Sequence, residues 1–518
     1  MGKSSQQLNA PLLGLLIAAL LLWLMFLGDV PLRDWDEGTR ALIGREIYRT
    51  GSWLHPTIYG EPYLLKPPLM DWLIALSYKL GGINEFTTRL PGAILSACGV
   101  PLLYLLGREV FRHHLTAVFA ASVYLTLLPV VRHGRLAMLD GMVNSCFLLL
   151  LWCLLKARYQ KHWAIGIGIS LGLISLTKGL LVLPLGAIAF LFLLIDQRVK
   201  LLSNPYLWLG IVLGNLPVFT WYFAQWQHYG HSFWQVHFHA QGWQRLSNAV
   251  EGNSGPIWYY LLELLKYSLP WLWFWPGGLY LAWQRRRTSW GCLILIGTIV
   301  YLGIISLMKT KLPWYIMPLY PFFAIAVAVK LTQLWEKRKH YQLNLTVVLG
   351  LIAVAAVAGC IYFILTEPQP ELMVMGLVLA VSMGFATWLV KQNNRKFISV
   401  LFIGLYLTLT LLMTSKFWLW ELNEAFPVKP VAALIKKHTE VGAIIYTSFS
   451  YERPSLNFYS DRRVISREIT ALQELCLTQP YLLLDQATLE ILQLPSSIAL
   501  GTAEGFTLVE VVPREACQ

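Results

Sequence analysis

The feature that most constrains this chain is a series of apolar runs, each of about 18–22 residues, that recurs along most of its length. A helix of that length crosses a hydrocarbon core of roughly 30 Å, because each residue rises about 1.5 Å. Only 13% of the 518 residues are charged and 56% are hydrophobic, whereas soluble domains carry about 25% charged residues. The runs therefore predict a polytopic α-helical membrane protein.

The apolar runs predict about thirteen transmembrane helices. They are centred near residues 20, 102, 123, 149, 170, 187, 214, 270, 298, 322, 354, 380 and 407. No small-residue cleavage site follows the first run, which favours a retained span over a cleaved signal peptide. Residues 163–195 are interpreted as two spans that meet at Lys178, because one long helix would reverse the charge pattern of every later loop.

Basic residues are concentrated in six successive alternate loops between the predicted spans. These loops contain Arg108 and Arg112; Lys156, Arg158 and Lys161; Arg198 and Lys200; Arg285, Arg286 and Arg287; Lys337, Arg338 and Lys339; and Lys391, Arg395 and Lys396. Such loops lie on the cytoplasmic side of membranes. The pattern predicts a cytoplasmic N-terminus and an outer C-terminus, and it accounts for the net charge of +13 without a nucleic-acid partner.

The end of the chain differs in composition from the rest. Residues 418–518 alternate short helix and strand signals, which predicts a small soluble α/β domain after a catalytic membrane domain of residues 1–417. The membrane domain has two long outer loops, 30–90 and 225–256, and the first contains two amphipathic segments typical of interfacial helices. The tail has no recognisable catalytic motif, and a disulfide between Cys476 and Cys517 is left open.

Three acidic side chains on the predicted outer face are catalytic candidates. Asp36 and Glu37 lie in an acidic cluster directly after the first span, and Asp140 stands at the mouth of the fourth. One acid is explained if Asp36 caps the helix that follows it. Capping does not explain the whole cluster, because ionisable groups close to a bilayer are costly and usually functional.

Several outer cations suit the binding of a phosphate group. Lys66 lies in a proline-rich segment that favours an extended chain, and the alternative is a lysine that snorkels to lipid headgroups. Lys178, Lys311 and Arg245 are further outer cations. His237 and His239 are weak candidates for metal ligands, because no third ligand is evident. No cofactor is therefore assigned, and a divalent metal is left open.

These residues resemble the motifs of a known enzyme family. The first outer loop contains Asp36-Glu37, Ala41, Arg45-Glu46, Gly51-Ser52-Trp53, Pro56, Gly60-Glu61-Pro62-Tyr63 and Lys66-Pro67-Pro68-Leu69. Later segments are Asn84-Glu85-Phe86, Arg89-Leu90-Pro91, Leu176-Thr177-Lys178-Gly179, Gly255-Pro256, Trp258-Tyr259-Tyr260, Lys311-Leu312-Pro313-Trp314-Tyr315 and Pro318. The order of these motifs resembles the lipid-carrier-dependent glycosyltransferases, which include bacterial relatives of protein O-mannosyltransferases and the aminoarabinose transferases.

The resemblance implies a GT-C fold and inverting transfer of a sugar from a polyprenyl-phosphate carrier, with the active site on the periplasmic or lumenal face. It implies that Asp36 is the base for the acceptor, that Lys66 holds the carrier phosphate and that Tyr315 lies near it. Asp140 matches a second acidic position and Arg245 a phosphate-binding arginine. The implied location is a bacterial inner membrane, with a lipid, glycan or protein acceptor.

Two departures from the family pattern concern the acceptor and the metal. Thr39-Arg40 stands where the family commonly has an Arg-Tyr pair, and Leu65 replaces a glutamate that often precedes the loop lysine. Both differences argue against lipid A as the acceptor, and the second weakens the prediction of a metal site. The alternative functions are an oligosaccharide ligase or polymerase and, from another class, a transporter or flippase for lipid-linked sugars.

Overall fold

The computed structural model describes residues 2–111, 113–196, 199–244, 248–249, 252–336, 343–420, 426–475, 481–492, 494 and 497–511. The chain divides into two compact units. The membrane unit comprises Met1–Leu27, Leu64–Met70 and Arg89–Trp418, and the loop–tail unit comprises Gly28–Tyr63, Asp71–Thr88 and Leu419–Gln518. Most of the first outer loop thus groups with the tail, whereas the sequence-based division assigns it to the membrane domain.

The membrane unit is built almost entirely from helices. Its longer helices are Gly2–Leu24, Glu85–Ala97, Gly99–Val110, His114–Leu125, Leu128–Arg135, Leu139–Lys156, Ala164–Lys178, Val182–Ile195, Pro205–Tyr229, Tyr259–Tyr267, Trp275–Gln284, Ser289–Leu307, Tyr320–Glu336, Leu343–Leu365, Pro370–Lys391 and Phe397–Thr414. Within the described ranges, nine helical stretches are long and apolar enough to cross a membrane. A tenth is added if His114–Leu125 and Leu128–Arg135, which meet at 59°, form one broken span.

The apolar stretch Lys161–Ile195 consists of two antiparallel helices, as the charge pattern predicts. Lys178 pairs with Asp140 in the first turn of the 18-residue helix Leu139–Lys156, whereas Asp196 pairs with Arg158, just beyond the other end of that helix. A helix of this length is about 27 Å long. The chain therefore runs along the helix in one direction as far as Lys178 and returns as Val182–Ile195.

The remaining difference between these nine or ten stretches and the roughly thirteen predicted spans has local causes. Ala10–Leu24 is apolar but shorter than the nine spanning stretches. Near residue 270, where a span is predicted, the chain forms two short helices, Tyr259–Tyr267 and Trp275–Gln284. Pro270 and Pro276 lie between or at the start of these helices, and proline lacks the backbone N–H that a continuous helix requires.

Two glycine pairs bring the helices Ala164–Lys178 and Pro205–Tyr229 into backbone contact. A Cβ atom added to Gly168 would lie 2.1 Å from the carbonyl carbon of Gly210, and one added to Gly172 would lie 1.9 Å from the carbonyl oxygen of Gly214. Within each helix the two glycines are four residues apart, which is the GxxxG spacing that allows close approach of membrane helices. This contact fixes the helix that ends at Lys178 beside the helix that carries Tyr222.

The loop–tail unit combines the first outer loop with the C-terminal sheet. The loop contributes the helix Asp36–Thr50, the hairpin of β1 (Thr57–Ile58) with β2 (Glu61–Pro62), and most of the helix Leu69–Gly81. The two helices pack through Ile43, Ile47 and Ala75, with Tyr63 beside them. They match the two amphipathic segments predicted from the sequence, and they bury Ile43, Ile47 and Ala75 while Leu76 and Leu80 stay exposed.

The C-terminal sheet has five strands in the order β4-β3-β5-β7-β6. The strands are β3 (Ile444–Thr447), β4 (Arg463–Ser466), β5 (Tyr481–Asp485), β6 (Ser497–Ala503) and β7 (Phe506–Val511). β3 is parallel to β4 and β5, and β7 is antiparallel to β5 and β6. The helices are Val428–His438, Pro454–Ser460, Ile469–Leu475 and Gln486–Leu492. The predicted small α/β domain is confirmed, and Cys476 and Cys517 lie outside the described residues.

Candidate functional site

The Lys66 segment is held by the second long outer loop. The Lys66 ammonium donates to Oε1 of Gln241 at 2.7 Å, and Nδ1 of His237 lies 3.1 Å from the carbonyl oxygen of Leu64. Residues Gln235–Trp243 form a π-helix, an element that occurs frequently at functional sites. Its wider turn places side chains four residues apart on nearly the same face, so His237 and Gln241 contact one segment.

His237 is a neutral side chain with both ring nitrogens engaged. The Leu64 carbonyl can only accept a hydrogen bond, so Nδ1 carries the proton and Nε2 accepts from the Tyr222 hydroxyl at 2.8 Å. Burial lowers the pKa of His237 to about 4, and the neighbouring Lys66 charge acts in the same direction. His237 therefore connects the Lys66 segment to the helix Pro205–Tyr229.

A second cation lies beside this segment. The Lys178 ammonium is 2.7 Å from Oδ1 of Asp140, and their side chains are only 14% and 5% exposed. The same ammonium lies 5.4 Å from the centre of the Tyr315 ring. A Cβ atom on the next residue, Gly179, would be 3.3 Å from the His237 Nε2 and 3.6 Å from the Cγ of Pro67. Lys66 and Lys178 therefore come from adjacent segments of one site.

This arrangement defines what the membrane unit can do chemically. Two ammonium groups and an aromatic ring suit a phosphate, because ammonium donors make strong charge-assisted hydrogen bonds to anionic oxygens. Asp140 already accepts from Lys178, so its carboxylate holds and partly neutralises a cation. The structure thus brings together Lys66, Lys178, Asp140 and Tyr315, four of the predicted site residues.

Other predicted site residues in the membrane unit have different surroundings. The Lys311 ammonium donates to the carbonyl oxygens of Ile305 and Ser306 at 2.9 and 2.7 Å, and so caps the helix Ser289–Leu307. Burial lowers the pKa of Lys311. Lys311 thus has a structural role as a helix cap, and its predicted role in phosphate binding stays a prediction. Arg245 lies outside the described residues.

The metal question stays open. His239 is exposed, and a metal on His237 would have to displace one of its two hydrogen bonds. Among the residues that the structure describes, no group of three or more His, Cys, Asp or Glu side chains is arranged to hold a metal ion.

The predicted base, Asp36, lies in the loop–tail unit. It is the first residue of the helix Asp36–Thr50 and is half-buried. The residue before it, Trp35, has φ +63° and ψ −101°, a backbone conformation that residues other than glycine rarely adopt. Glu37 is fully buried, and its Oε2 accepts the backbone N–H of Arg33 at 2.9 Å. Glu37 therefore holds the backbone at this helix start, and its predicted catalytic role stays a prediction.

A buried ion pair that the sequence did not predict lies close to Asp36 along the same helix. Arg40 donates to both carboxylate oxygens of Asp71 at 3.0 and 2.7 Å and also bonds to Tyr63. Burial opposes the charge on Arg40, but the carboxylates of Asp71 and Asp36 raise the pKa of Arg40 overall. The sequence marked this position in one way only: Thr39-Arg40 departs from the Arg-Tyr pair that the resembled family commonly has there.

Comparisons with known proteins agree with these features. Residues 65–223 match the family described as dolichyl-phosphate-mannose-protein mannosyltransferase. The chain is 29% identical to an undecaprenyl phosphate-α-4-amino-4-deoxy-L-arabinose arabinosyl transferase of Pseudomonas fluorescens over 383 residues, which is 70% of this chain and 68% of that one. It is 31% identical to the corresponding Erwinia tasmaniensis protein over 336 residues, or 62% and 60% of the two chains.

Solved structures share the fold. The crystal structure of ArnT from Cupriavidus metallidurans bound to undecaprenyl phosphate superposes with a TM-score of 0.80 at 20% identity, covering 97% of this chain and 98% of that one. The archaeal oligosaccharyltransferase AglB from Archaeoglobus fulgidus gives a TM-score of 0.53 at 12% identity, covering 95% and 68%.

The fold and the motifs define a polytopic membrane glycosyltransferase of the GT-C class, as the sequence predicts. Within that class, the chain is similar to enzymes named for the transfer of a lipid-carried aminoarabinose, and it is a glycosyltransferase.

Proposed function

We propose that this enzyme transfers a single sugar from a polyprenyl phosphate to a hydroxyl or phosphate of a membrane-embedded acceptor on the outer face, with inversion at the anomeric carbon. The observation that carries the proposal is the paired placement of Lys66 and Lys178 in adjacent, partly buried segments. In this proposal both cations compensate the charge of the carrier phosphate as it leaves.

The proposed reaction is one displacement. An oxygen of the acceptor attacks the anomeric carbon, a new C–O bond forms, and the bond from that carbon to the phosphate oxygen breaks. Asp36 accepts the proton of an acceptor hydroxyl, and the polyprenyl phosphate leaves with both bonding electrons. General-base assistance contributes about 10²–10⁴-fold. Lys66 stabilises the charge that develops on the phosphate, with Lys178, Tyr315 and Arg245 as its proposed neighbours.

Asp140 has a supporting role in this proposal. Its carboxylate accepts from Lys178, which orients that ammonium and compensates its charge in a buried place. When a phosphate binds, the ammonium has two anionic partners and three protons to donate. We therefore assign Asp140 to positioning of Lys178, and Asp36 alone to proton transfer.

The orientation in the membrane is part of the proposal. The Lys- and Arg-rich alternate loops support a cytoplasmic N-terminus and a periplasmic C-terminal domain. A membrane-impermeant thiol reagent should label a cysteine placed at Lys79 in intact cells and leave one placed at Arg286 unlabelled. The opposite labelling would overturn the orientation.

The function is tested with purified enzyme, a panel of synthetic polyprenyl-phosphate sugars and a lipid extract, with products read by mass spectrometry. At a donor concentration below the KM we expect addition of one sugar to a lipid, strongly reduced in Lys66→Ala and retained in the exposed-lysine control Lys79→Ala. Transfer of whole glycan chains would favour an oligosaccharide ligase. Movement of the donor across vesicles without a covalent product would favour a flippase.

A further inference from the structure

The C-terminal α/β domain contacts the residues that lead into the predicted base. The contact is made by the loop that follows β3. This strand lies between β4 and β5, both parallel to it, so the chain order changes direction at β3. The carboxyl ends of strands at such a position are where open α/β sheets bind their ligands. Here the loop and the helix Pro454–Ser460 that follows it carry Tyr451, Arg453 and Ser455.

Asp34, two residues before Asp36, is held by this loop. Its Oδ2 accepts from Arg453 Nη1 at 2.6 Å, and its Oδ1 accepts from the backbone N–H of Ser455 at 3.3 Å and from the Ser455 hydroxyl. The Arg453 guanidinium also lies 4.0 Å from the centre of the Phe426 ring. The Asp34 side chain is only 3% exposed, so removal of its partner would leave a buried carboxylate uncompensated.

Trp35 is held by the same loop. Its ring stacks on Tyr451 with centres 5.1 Å apart and an angle of 30° between the planes. A left-handed backbone at a tryptophan is unfavourable and persists only where surrounding contacts impose it. The stacking of Tyr451 on the Trp35 ring and the hydrogen bonds to the preceding Asp34 supply that constraint. The helix that begins with Asp36 follows at once.

The contact continues along that helix. A Cβ atom on Gly38 would lie 2.5 Å from the backbone nitrogen of Ser455, so only glycine permits this approach. Further along, Arg45 donates to the carbonyl oxygen of Phe458 at 2.9 Å and pairs with Asp461. The start of the Asp36–Thr50 helix is therefore packed against the tail domain over several turns.

We propose that the C-terminal domain positions the catalytic base. Tyr451, Arg453 and Ser455 are positioning residues that hold Asp34 and Trp35, and thereby fix the direction in which the Asp36 carboxylate leaves the helix start. This inference rests on the proposed function, in which Asp36 accepts the proton of the acceptor. It gives the tail domain, which has no catalytic motif of its own, a specific part in the reaction.

The test compares Arg453→Ala, Arg453→Lys and the exposed control Arg467→Ala in the full-length enzyme. We expect Arg453→Ala to lower kcat about 10²-fold, because a misplacement near 1 Å at the reacting groups costs about that much. The affinity for undecaprenyl phosphate should be unchanged, since Lys66 and Lys178 belong to the membrane unit. Arg453→Lys should recover part of the rate, and Arg467→Ala should equal the wild type.

A second background separates positioning from general damage. In an Asp36→Asn enzyme there is no base to position, so Arg453→Ala should lower the residual rate no further. Losses that multiply in the double variant, or a wild-type rate in Arg453→Ala, would overturn the positioning role while leaving the proposed function in place. A wild-type rate in Asp36→Asn would overturn the base assignment and the positioning role with it. If Arg453→Ala does not fold, Tyr451→Leu serves as the same test through Trp35.

Discussion

The segments that carry Lys66 and Asp36 are supported in different ways. Lys66 is held directly, because its ammonium donates to Gln241, and its segment is held by the hydrogen bond between His237 and the carbonyl oxygen of Leu64. The contacts described for the Asp36 segment act on the two residues before it, Asp34 and Trp35. The comparison indicates that a phosphate anchor tolerates a hydrogen-bond partner on its ammonium group. A bound phosphate can displace that partner or bind beside it. A base must keep its carboxylate available, so its neighbours are fixed instead.

The largest effects separate the two roles. We expect Asp36→Asn to lower kcat about 10²–10⁴-fold, as loss of general-base assistance does, with undecaprenyl phosphate binding unchanged. Lys66→Ala should instead weaken carrier binding by about 10–100-fold, which is the loss of one charge-assisted hydrogen bond. Steady-state kinetics and carrier binding on the same preparations check both. If the two variants had the same pattern, the assignment of separate roles would fail.

The glycine contact between the helices Ala164–Lys178 and Pro205–Tyr229 should affect stability and carrier binding, because these helices support the Lys66 site. Gly172→Val places methyl groups against the backbone of Gly214, and overpacking of this kind destabilises by about 1–3 kcal/mol or more. We expect a lower melting temperature and weaker carrier binding. Gly303→Val is a matched control, because a Cβ atom there meets nothing within 4 Å. Equal melting temperatures for the two variants would contradict the close helix contact.

His237 gives the Lys66 site a dependence on pH. Its pKa in the folded protein, about 4, lies below the ordinary value of 6.5, so the unfolded chain binds the additional proton between these values. The stability that His237 contributes is present above pH 6.5 and is lost as the pH falls towards 4. Between pH 6.5 and 5 we expect a loss on the order of 2 kcal/mol.

Thermal unfolding of wild type and His237→Gln over this pH range checks that expectation. The wild type should lose its stability advantage over the variant as the solution is acidified, because a glutamine has no proton to take up. Parallel curves for the two proteins would show that His237 does not titrate in this way.

The smallest expected effect belongs to Gln241. A hydrogen bond of this kind contributes about 0.5–1.5 kcal/mol net, so Gln241→Ala should raise the KM for the donor about 2- to 10-fold and leave kcat unchanged. Gln244→Ala, an exposed glutamine beyond the same π-helix, is the control. A fall in kcat with an unchanged KM would place Gln241 with the reaction rather than with the anchor.

The sequence predicted those features that depend on local pattern. Apolar run length predicted most of the spans but not the two short helices near residue 270, and charge alternation correctly predicted the reversal at Lys178. It did not predict the π-helix or the pair of Arg40 with Asp71, because both depend on partners far away in the chain. The grouping of the first outer loop with the tail was missed for the same reason. Its contacts, such as Asp34 with Arg453, join residues more than 400 positions apart and leave no periodic signal.

The most direct test of the single displacement is the anomeric configuration of the product. Wild-type enzyme is incubated with a polyprenyl-phosphate sugar of known configuration, and the anomeric configuration of the intact glycoside is determined by NMR. The proposed attack opposite the phosphate predicts an inverted anomeric centre in every product molecule. A product with retained configuration would require two displacements and would contradict the roles given to Asp36 and Lys66.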